Sequence, residues 1–189
     1  MFNSARWPTF AAKFASLYNV QMITTERFIL RPFEREDYDA YLSMVVDAQP
    51  DVPWRQVMSP EDAWHRLVRY VGHWTLFGFG NFAIFEKGSG LFIGETGLWD
   101  AHRGMGAGYD EFDEAGWSVV SSWQGRSVAF EAAEAVHRWY ADAVGRRRTV
   151  CMTDPANERS IRLARKLGYA PFQEGVYKGE SVIMFERPA

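Results

Sequence analysis

The sequence has one cysteine, no excess of basic residues and no long apolar run, and each of these absences excludes a class of protein. Cys151 alone cannot form an intramolecular disulfide or a cysteine-based zinc site, and so little cysteine is typical of the reducing cytoplasm. The formal net charge is −3 and the pI is about 5.8, which gives no general attraction for nucleic acid. No segment approaches the roughly 18 consecutive apolar residues of a membrane-spanning helix. We therefore expect a cytoplasmic protein that binds neither nucleic acid nor membrane.

Aromatic residues, by contrast, are abundant, with 14 Phe, 8 Trp and 8 Tyr among 189 residues. At roughly 150 residues per domain, this length predicts one domain over residues 23–189, preceded by an extension over residues 1–22. Each aromatic side chain buries a large area, so the set suits either a large core or the wall of a pocket. Most of them fall on predicted core positions. The candidates that remain for binding a substrate are Tyr38, Tyr41, Trp54 and Trp99.

The spacing of apolar residues alternates between the periods of strands and helices. Ser59 and Pro60 give the clearest helix start, as N-cap and first helical residue. A glycine-rich loop is predicted over residues 102–113. Helices are predicted to begin near residues 38, 60, 128 and 158, and strands over residues 25–32, 81–86, 91–99, 114–120, 148–153, 169–175 and 181–187. This order predicts a mixed α/β domain.

Residues 124–129 (QGRSVA) form a glycine-containing turn between a predicted strand and a long helix. Such a turn aligns free backbone N–H groups at the positive end of the helix dipole, where phosphate oxygens bind well. Arg126 adds a positive charge. The signatures of a P-loop and of a dinucleotide-binding turn are both absent. By itself, the turn is equally compatible with an ordinary strand–helix connection.

Three segments, in order, resemble motifs of the GNAT superfamily of N-acetyltransferases, especially its ribosomal-protein Nα-acetyltransferase branch. Residues 114–132 (EAGWSVVSSWQGRSVAFEA) resemble motif A, a strand followed by a Q/R-x-x-G-x-G/A turn and a helix. Residues 154–169 (DPANERSIRLARKLGY) resemble motif B, an Asn before a short helix that ends in Lys-Leu-Gly-aromatic. Residues 25–33 (TERFILRPF) match the usual first strand. The resemblance covers residues 23–187.

This resemblance implies a GNAT-like mixed, mostly antiparallel sheet with flanking helices and splayed central strands. It also implies an acetyl-CoA-dependent N-acetyltransferase that needs no metal. Acetyl-CoA would lie between the strand of residues 117–120 and the strand of residues 148–153. A backbone N–H near Val119 would polarise the acetyl carbonyl, and Asn157 would contact the pantetheine arm. The pyrophosphate would be held by the amides of Gln124, Gly125, Arg126, Ser127, Val128 and Ala129.

Two positions depart from the family pattern. Ser127 stands where the turn has its second glycine; we interpret the position as needing only a small side chain, so that serine is tolerated. A left-handed backbone there would instead cost about 1–2 kcal/mol. Ala164 stands where many relatives have a tyrosine that protonates the leaving thiolate. That role is then vacant or filled from elsewhere.

Acetyl transfer by direct attack in a ternary complex needs a neutral amine. An α-amino group has a pKa near 8, whereas a lysine amine near 10.4 needs roughly 4.6 kcal/mol for deprotonation at pH 7. A protein N-terminal α-amine or a similar small-molecule amine is therefore the favoured acceptor. Glu95 and Glu114 are the candidate bases, and Ser121 is a candidate donor to the thiolate.

Several alternatives stay open. Ser127 and Ala164 motivate a second hypothesis, a catalytically silent acyl-CoA-binding sensor or scaffold. Cys151 is interpreted as a core residue rather than a covalent acyl carrier, and the four histidines lack metal-ligand spacing. The sequence decides neither the acceptor nor the oligomeric state, and a homodimer stays open.

Overall fold

The computed structural model describes residues 22–46 and 58–189. Trp54 and nearly all of the predicted N-terminal extension lie outside these residues, and the division into extension and domain stays a prediction. The strands are β1 (Ile23–Thr24), β2 (Phe28–Pro32), β3 (Asn81–Glu86), β4 (Phe92–Trp99), β5 (Asp113–Val119), β6 (Thr149–Thr153), β7 (Ala170–Tyr177) and β8 (Glu180–Arg187). The helices are α1 (Tyr38–Val46), α2 (Pro60–Phe77), α3 (Ala107–Asp110), α4 (Val128–Ala143) and α5 (Glu158–Lys166), with 3-10 turns at Arg35–Asp37 and Ser121–Trp123.

The strands form one sheet in the order β1-β2-β3-β4-β5-β6-β8-β7. All neighbours are antiparallel except β5 and β6, which are parallel and joined only at Asp113↔Thr149 and Glu114↔Val150. Beyond Glu114, β5 stays paired with β4, whereas β6 continues along β8 to Thr153. The sheet therefore splits in its middle, which confirms the predicted mixed fold with splayed central strands.

The helix start signals work as the sequence predicts. Ser59 Oγ accepts the Asp62 N–H at 3.1 Å, and Pro60 is the first residue of α2. The predicted loop over residues 102–113 is wrong in part, because it contains the short helix α3 and because β5 begins one residue early. The Asp110 carboxylate accepts the N–H groups of Gly104 and Gly106, which folds the loop back on itself.

Helices cover both faces of the sheet. On one face, Leu98, Ala115 and Val119 pack into a core with α4 and α5. On the other face, α1 and α2 pack over Phe33 and Ala83. Because side chains alternate along a strand, β4 and β5 present opposite sets of residues to these two layers. No helix of residues 22–46 or 58–189 is both long and apolar enough to cross a membrane.

A buried polar chain joins α4 to the end of α5. The His137 ring bonds the Ala133 carbonyl at 2.7 Å and the Tyr169 hydroxyl at 2.8 Å, and that hydroxyl pairs with Thr149 Oγ1 at 2.8 Å. Burial disfavours the imidazolium and lowers the pKa of His137 from 6.5 to about 4. The ring is therefore a neutral structural element at neutral pH.

We expect the protein to lose stability as the pH falls from 6.5 towards 4. The folded-state pKa of His137 lies below the unfolded value, so the unfolded chain binds more protons in this window. This difference predicts that the free energy of unfolding falls by about 2 kcal/mol between pH 7 and pH 5. Urea unfolding at the two pH values measures it. His137→Gln removes the titrating ring and should flatten the dependence; equal slopes in both proteins would contradict the assignment.

Candidate active site

The site begins at the unpaired edge of β5. The Val120 N–H donates to the Ile93 carbonyl on β4 at 3.0 Å. Because backbone groups alternate sides along a strand, the N–H and C=O groups of Val119 and Trp117 point the other way, into the split. N–H groups with this direction suit a carbonyl oxygen placed in the split, and the role expected near Val119 stays a prediction.

The turn after β5 presents further N–H groups. Gly125, Arg126 and Ser127 are exposed, and α4 begins at Val128. The first turn of a helix has amides without intrahelical partners, and within the described part of the chain no side chain caps this helix. Together with the helix dipole, these amides form a concavity suited to phosphate oxygens. The arrangement matches the predicted nest, and its binding role stays a prediction.

The expectation about Ser127 is wrong in its physical basis. Ser127 has φ 59° and ψ 15°, in the left-handed region. The position therefore needs the backbone that glycine adopts freely, and serine costs about 1–2 kcal/mol there. Gly125 also has a positive φ of 75°. This strain lies at the turn that faces the split.

Two side chains of the turn contact protein groups. Gln124 Nε2 donates to the Val119 carbonyl at 3.0 Å, and Gln124 Oε1 accepts from Arg159 Nη1 at 2.9 Å. The Arg126 guanidinium lies over the Trp123 ring at 5.2 Å. The sequence did not single out Arg159. Its position two residues after the capping Asn157 is the one feature that could have drawn attention to it.

The N-terminal turn of α5 forms the opposite side of the split. Asn157 Oδ1 accepts the Ser160 N–H at 3.1 Å as N-cap, so this oxygen is occupied by the helix. The Trp117 indole Nε1 donates to Ser160 Oγ at 3.3 Å and thereby links β5 to α5. Ala164, one turn further along, is buried in the core and has no group to donate. Ser160 is a second residue that the sequence did not single out, whereas Ser121 lies exposed beyond the end of β5.

The two candidate bases lie on the sheet face opposite α4, at different depths. Glu95 pairs with Ser118, next to Val119, whereas Glu114 pairs with Trp99. At about 3.3 Å per residue, Glu114 lies roughly 16 Å along β5 from Val119. Glu95 is therefore the carboxylate nearer to the amides that face the split.

Glu114 is buried and forms a two-point ion pair with Arg103, Nε–Oε2 and Nη2–Oε1 both at 2.7 Å. Arg103 Nη1 also donates to the Tyr177 hydroxyl at 2.8 Å. Burial alone would lower the pKa of Arg103, but these hydrogen bonds and charges outweigh it and raise the pKa. The guanidinium therefore stays charged, and it occupies both carboxylate oxygens of Glu114.

Glu95 is buried next to α1 and α2, close to Arg66, Tyr41 and Tyr70. Desolvation and then the charge of Glu95 raise the pKa of both tyrosines. The pKa of Arg66 is raised, first by Tyr70 and then by the charge of Glu95, although burial alone would lower it. Both tyrosines therefore stay neutral at neutral pH. Glu95 thus interacts electrostatically with Tyr41, Tyr70 and Arg66.

The predicted acceptor residues are spread over the α2 side of the sheet. Tyr38 is half-buried, donates to the Pro60 carbonyl at 2.9 Å and packs edge-on against Trp64. Tyr41 is fully buried against Phe33. The structure does not bring these two to Trp99, and Trp54 lies outside the described residues.

The Trp99 ring packs against Gly116, where a Cβ would lie 2.5 Å from a ring carbon, so this contact requires glycine. It also lines a cavity of about 70 Å³. The other residues of that cavity wall are Arg69, Tyr70, His73, Asn81, Asp100, Ala101 and Arg103. Trp99 is thus the predicted acceptor residue that contacts β5 directly.

Cys151 is buried, and burial and then the charge of Glu114 raise the pKa of its thiol. The thiol is thus protonated at neutral pH, as its interpretation as a core residue requires.

Among residues 22–46 and 58–189, no cluster of His, Cys, Asp and Glu is arranged to hold a metal ion. His73 bonds the Phe79 carbonyl through Nδ1 and accepts the Asp100 N–H at Nε2, which uses both ring nitrogens.

Comparison with known proteins agrees with this architecture. The profile of the acetyltransferase (GNAT) domain matches residues 27–170. A solved structure from Bordetella pertussis, described as a GnaT-family acetyltransferase, is 31% identical with a TM-score of 0.80 and covers 88% of this chain and 99% of its own. The fold and these matches define an acetyl-CoA-dependent acyltransferase. The chain belongs to the GNAT acetyltransferase family, which confirms the resemblance seen in the sequence.

Two solved ribosomal-protein acetyltransferases share the fold. The ribosomal-protein-S5-alanine acetyltransferase from Vibrio fischeri is 19% identical with a TM-score of 0.71, covering 88% of this chain and 96% of its own. A ribosomal L7/L12 alpha-N-protein acetyltransferase in complex with coenzyme A is 18% identical with a TM-score of 0.72, covering 89% and 98%. At these identities, the likeness concerns the fold.

Ser127→Gly is expected to stabilise the protein by about 1 kcal/mol, because glycine adopts the left-handed backbone without a Cβ clash. Chemical denaturation measures the change. Ser122→Gly is the matched control: Ser122 lies in the adjacent 3-10 turn with a negative φ, so glycine should lower stability there. Destabilisation by Ser127→Gly would contradict the strain at this position.

Proposed function

We propose that the protein transfers an acetyl group from acetyl-CoA to a primary amine, either a protein N-terminal α-amine or a small-molecule amine. The neutral amine attacks the thioester carbonyl directly in a ternary complex. A C–N bond forms, the C–S bond breaks, and CoA leaves as the thiolate. The proposal includes action in the cytoplasm, with no nucleic acid or membrane involved.

The observation that supports this most strongly is the alignment of two sets of amides along one groove. The N–H groups of Trp117 and Val119 face the split, and the amides of residues 125–129 lie at one end of it. The predicted Gln124 amide is not part of this set, because its N–H donates to the Ser121 carbonyl at 3.2 Å. The first set suits a polarised thioester carbonyl and the second a pyrophosphate. The pantetheine arm, which connects the thioester to the pyrophosphate in acetyl-CoA, then lies along the unpaired edge of β5. Asn157 lies on the other side of the arm.

Within this proposal we assign roles to individual residues as follows. Glu95 takes the amine proton through water, because it lies next to the Val119 end of β5, whereas Glu114 lies roughly 16 Å further along the strand. We prefer Ser160 to Ser121 as the donor to the thiolate. The Trp117 indole donates to Ser160 Oγ, so the hydroxyl hydrogen of Ser160 is not used in that bond and can be donated to the thiolate. Trp99, which packs against Gly116 of β5, forms part of the binding site for the acceptor amine.

An acceptor screen tests the function. With acetyl-CoA present, an α-amine or weakly basic amine should release thiol faster than a lysine side-chain amine at pH 7, because less free energy is needed to deprotonate it. Intersecting initial-velocity lines are expected for direct attack in a ternary complex. CoA binding without thiol release for any amine would favour the alternative, a silent acyl-CoA sensor, which the strained Ser127 and the missing tyrosine at Ala164 support.

The same assay separates the two carboxylates. Glu95→Gln should lower kcat by roughly 10²-fold or more, within the range of general-base catalysis, with acetyl-CoA binding retained. Glu114→Gln leaves Arg103 with a neutral partner and should mainly lower stability. The opposite pattern would make Glu114 the base.

Gly125→Asp should abolish CoA binding while the fold survives. No heavy atom lies within 4 Å of a Cβ at Gly125, so the side chain has room, but its carboxylate would face the pyrophosphate. Calorimetry with CoA measures binding, and thermal unfolding checks the fold. Gly145→Asp, at another exposed loop glycine with positive φ and no atom near its Cβ, controls for backbone strain. Normal CoA affinity in Gly125→Asp would show that the turn is not the pyrophosphate site.

A further inference from the structure

We propose that the Gln124 side chain fixes the register in which the pantetheine arm pairs with the unpaired edge of β5. It does so by occupying the Val119 carbonyl, and it acts as a positioning residue rather than as a phosphate ligand. This inference rests on the proposed function.

Part of the β5 edge lacks a strand partner. After Glu114, β6 no longer pairs with β5, so backbone groups at Trp117 and Val119 have no partner strand among residues 22–46 and 58–189. An unpaired strand edge accepts any extended chain with amide groups, and it does so in more than one register. The pantetheine arm carries two amides and is a chain of this kind.

Gln124 removes one of these registers. Its Nε2 donates to the Val119 carbonyl at 3.0 Å, in the direction where a parallel neighbour would have offered an N–H. The next peptide N–H, that of Val120, donates to Ile93 on β4. The peptide between Val119 and Val120 is therefore held at both ends. What stays open to a ligand is the Val119 N–H and the groups of Trp117.

Arg159 holds the glutamine in this pose. Arg159 Nη1 donates to Gln124 Oε1 at 2.9 Å, which leaves the Nε2 end facing Val119 and fixes the orientation of the amide. Arg159 lies in the first turn of α5, on the other side of the split. The chain Arg159–Gln124–Val119 thus joins the two sides of the groove at its phosphate end.

The consequence concerns catalysis more than affinity. If the arm slipped by two residues along β5, it could still pair with the edge, but the thioester would lie about 6–7 Å from its productive place. A shift of even about 1 Å from the productive geometry lowers rates strongly. Gln124 should therefore contribute to kcat while the backbone amides of the turn determine CoA affinity.

The test compares Gln124→Met, which keeps the length but removes both hydrogen bonds, with Gln124→Glu, which keeps the Arg159 contact but loses the donor to Val119. Gln173→Met is the matched control, at an exposed glutamine on β7. We expect both Gln124 variants to lower kcat roughly tenfold or more, the equivalent of one lost hydrogen bond, with the dissociation constant of CoA changed less than about threefold. Gln173→Met should change neither.

A spectroscopic readout separates misplacement from general damage. With acetyl-CoA labelled by ¹³C at the carbonyl and no amine present, the bound carbonyl stretch should lie below the solution value in the unaltered protein. It should move back towards the solution value in the Gln124 variants. An unchanged kcat and carbonyl stretch would overturn the inference, and so would a loss of CoA affinity equal to the loss of kcat. Failure of the unaltered protein to bind CoA would instead overturn the proposed function.

Discussion

Past Glu114, one edge of β5 has no neighbouring strand in the described part of the chain, because β6 leaves to run along β8 while β5 stays with β4. Buried backbone N–H and C=O groups are almost always paired, so an unpaired edge inside a sheet needs either side chains or a ligand as a partner. Here Gln124 takes the Val119 carbonyl, and the Trp117 indole reaches across to Ser160. The remaining amides give the groove its chemistry. Every residue with a proposed role at the reacting centre is placed by its distance from this edge.

The turn that follows β5 concentrates backbone strain where the phosphate site is proposed. Ser127 takes a left-handed conformation that a serine adopts at a cost, and Gly125 beside it takes a similar one freely. Strain of this kind persists where the surrounding structure over-determines it, and here α4 is packed firmly against the sheet. Glu131 in that helix accepts from the Thr25 hydroxyl, the Arg27 N–H and Arg27 Nε, which ties α4 to the start of β2. The turn therefore has little freedom to relax.

The two faces of the sheet have different tasks. Both carry apolar clusters, but Glu95, Trp99 and Glu114 all lie on the face opposite α4. On that face, Arg103 joins Glu114 to Tyr177 of β7, so the hairpin of β7 and β8 is linked to the base of the split. The ion pair that stabilises this junction occupies both carboxylate oxygens of Glu114, whereas Glu95 lies nearer to the amides that face the split.

The sequence by itself determined most of the order of strands and helices, the position of the turn before α4 and the family, because periodicity, N-caps such as Ser59 and Asn157, and ordered motifs are local properties of the chain. It could not separate Glu95 from Glu114, since the register of β4 on β5 and the contact with Arg103 depend on residues distant in the chain. It misjudged Ser127, because a residue's φ is set by how strand and helix are joined in space. Arg159 and Ser160 gained their positions only when α5 packed across the split. Local patterns encode elements, whereas the partners of each polar group follow from tertiary packing.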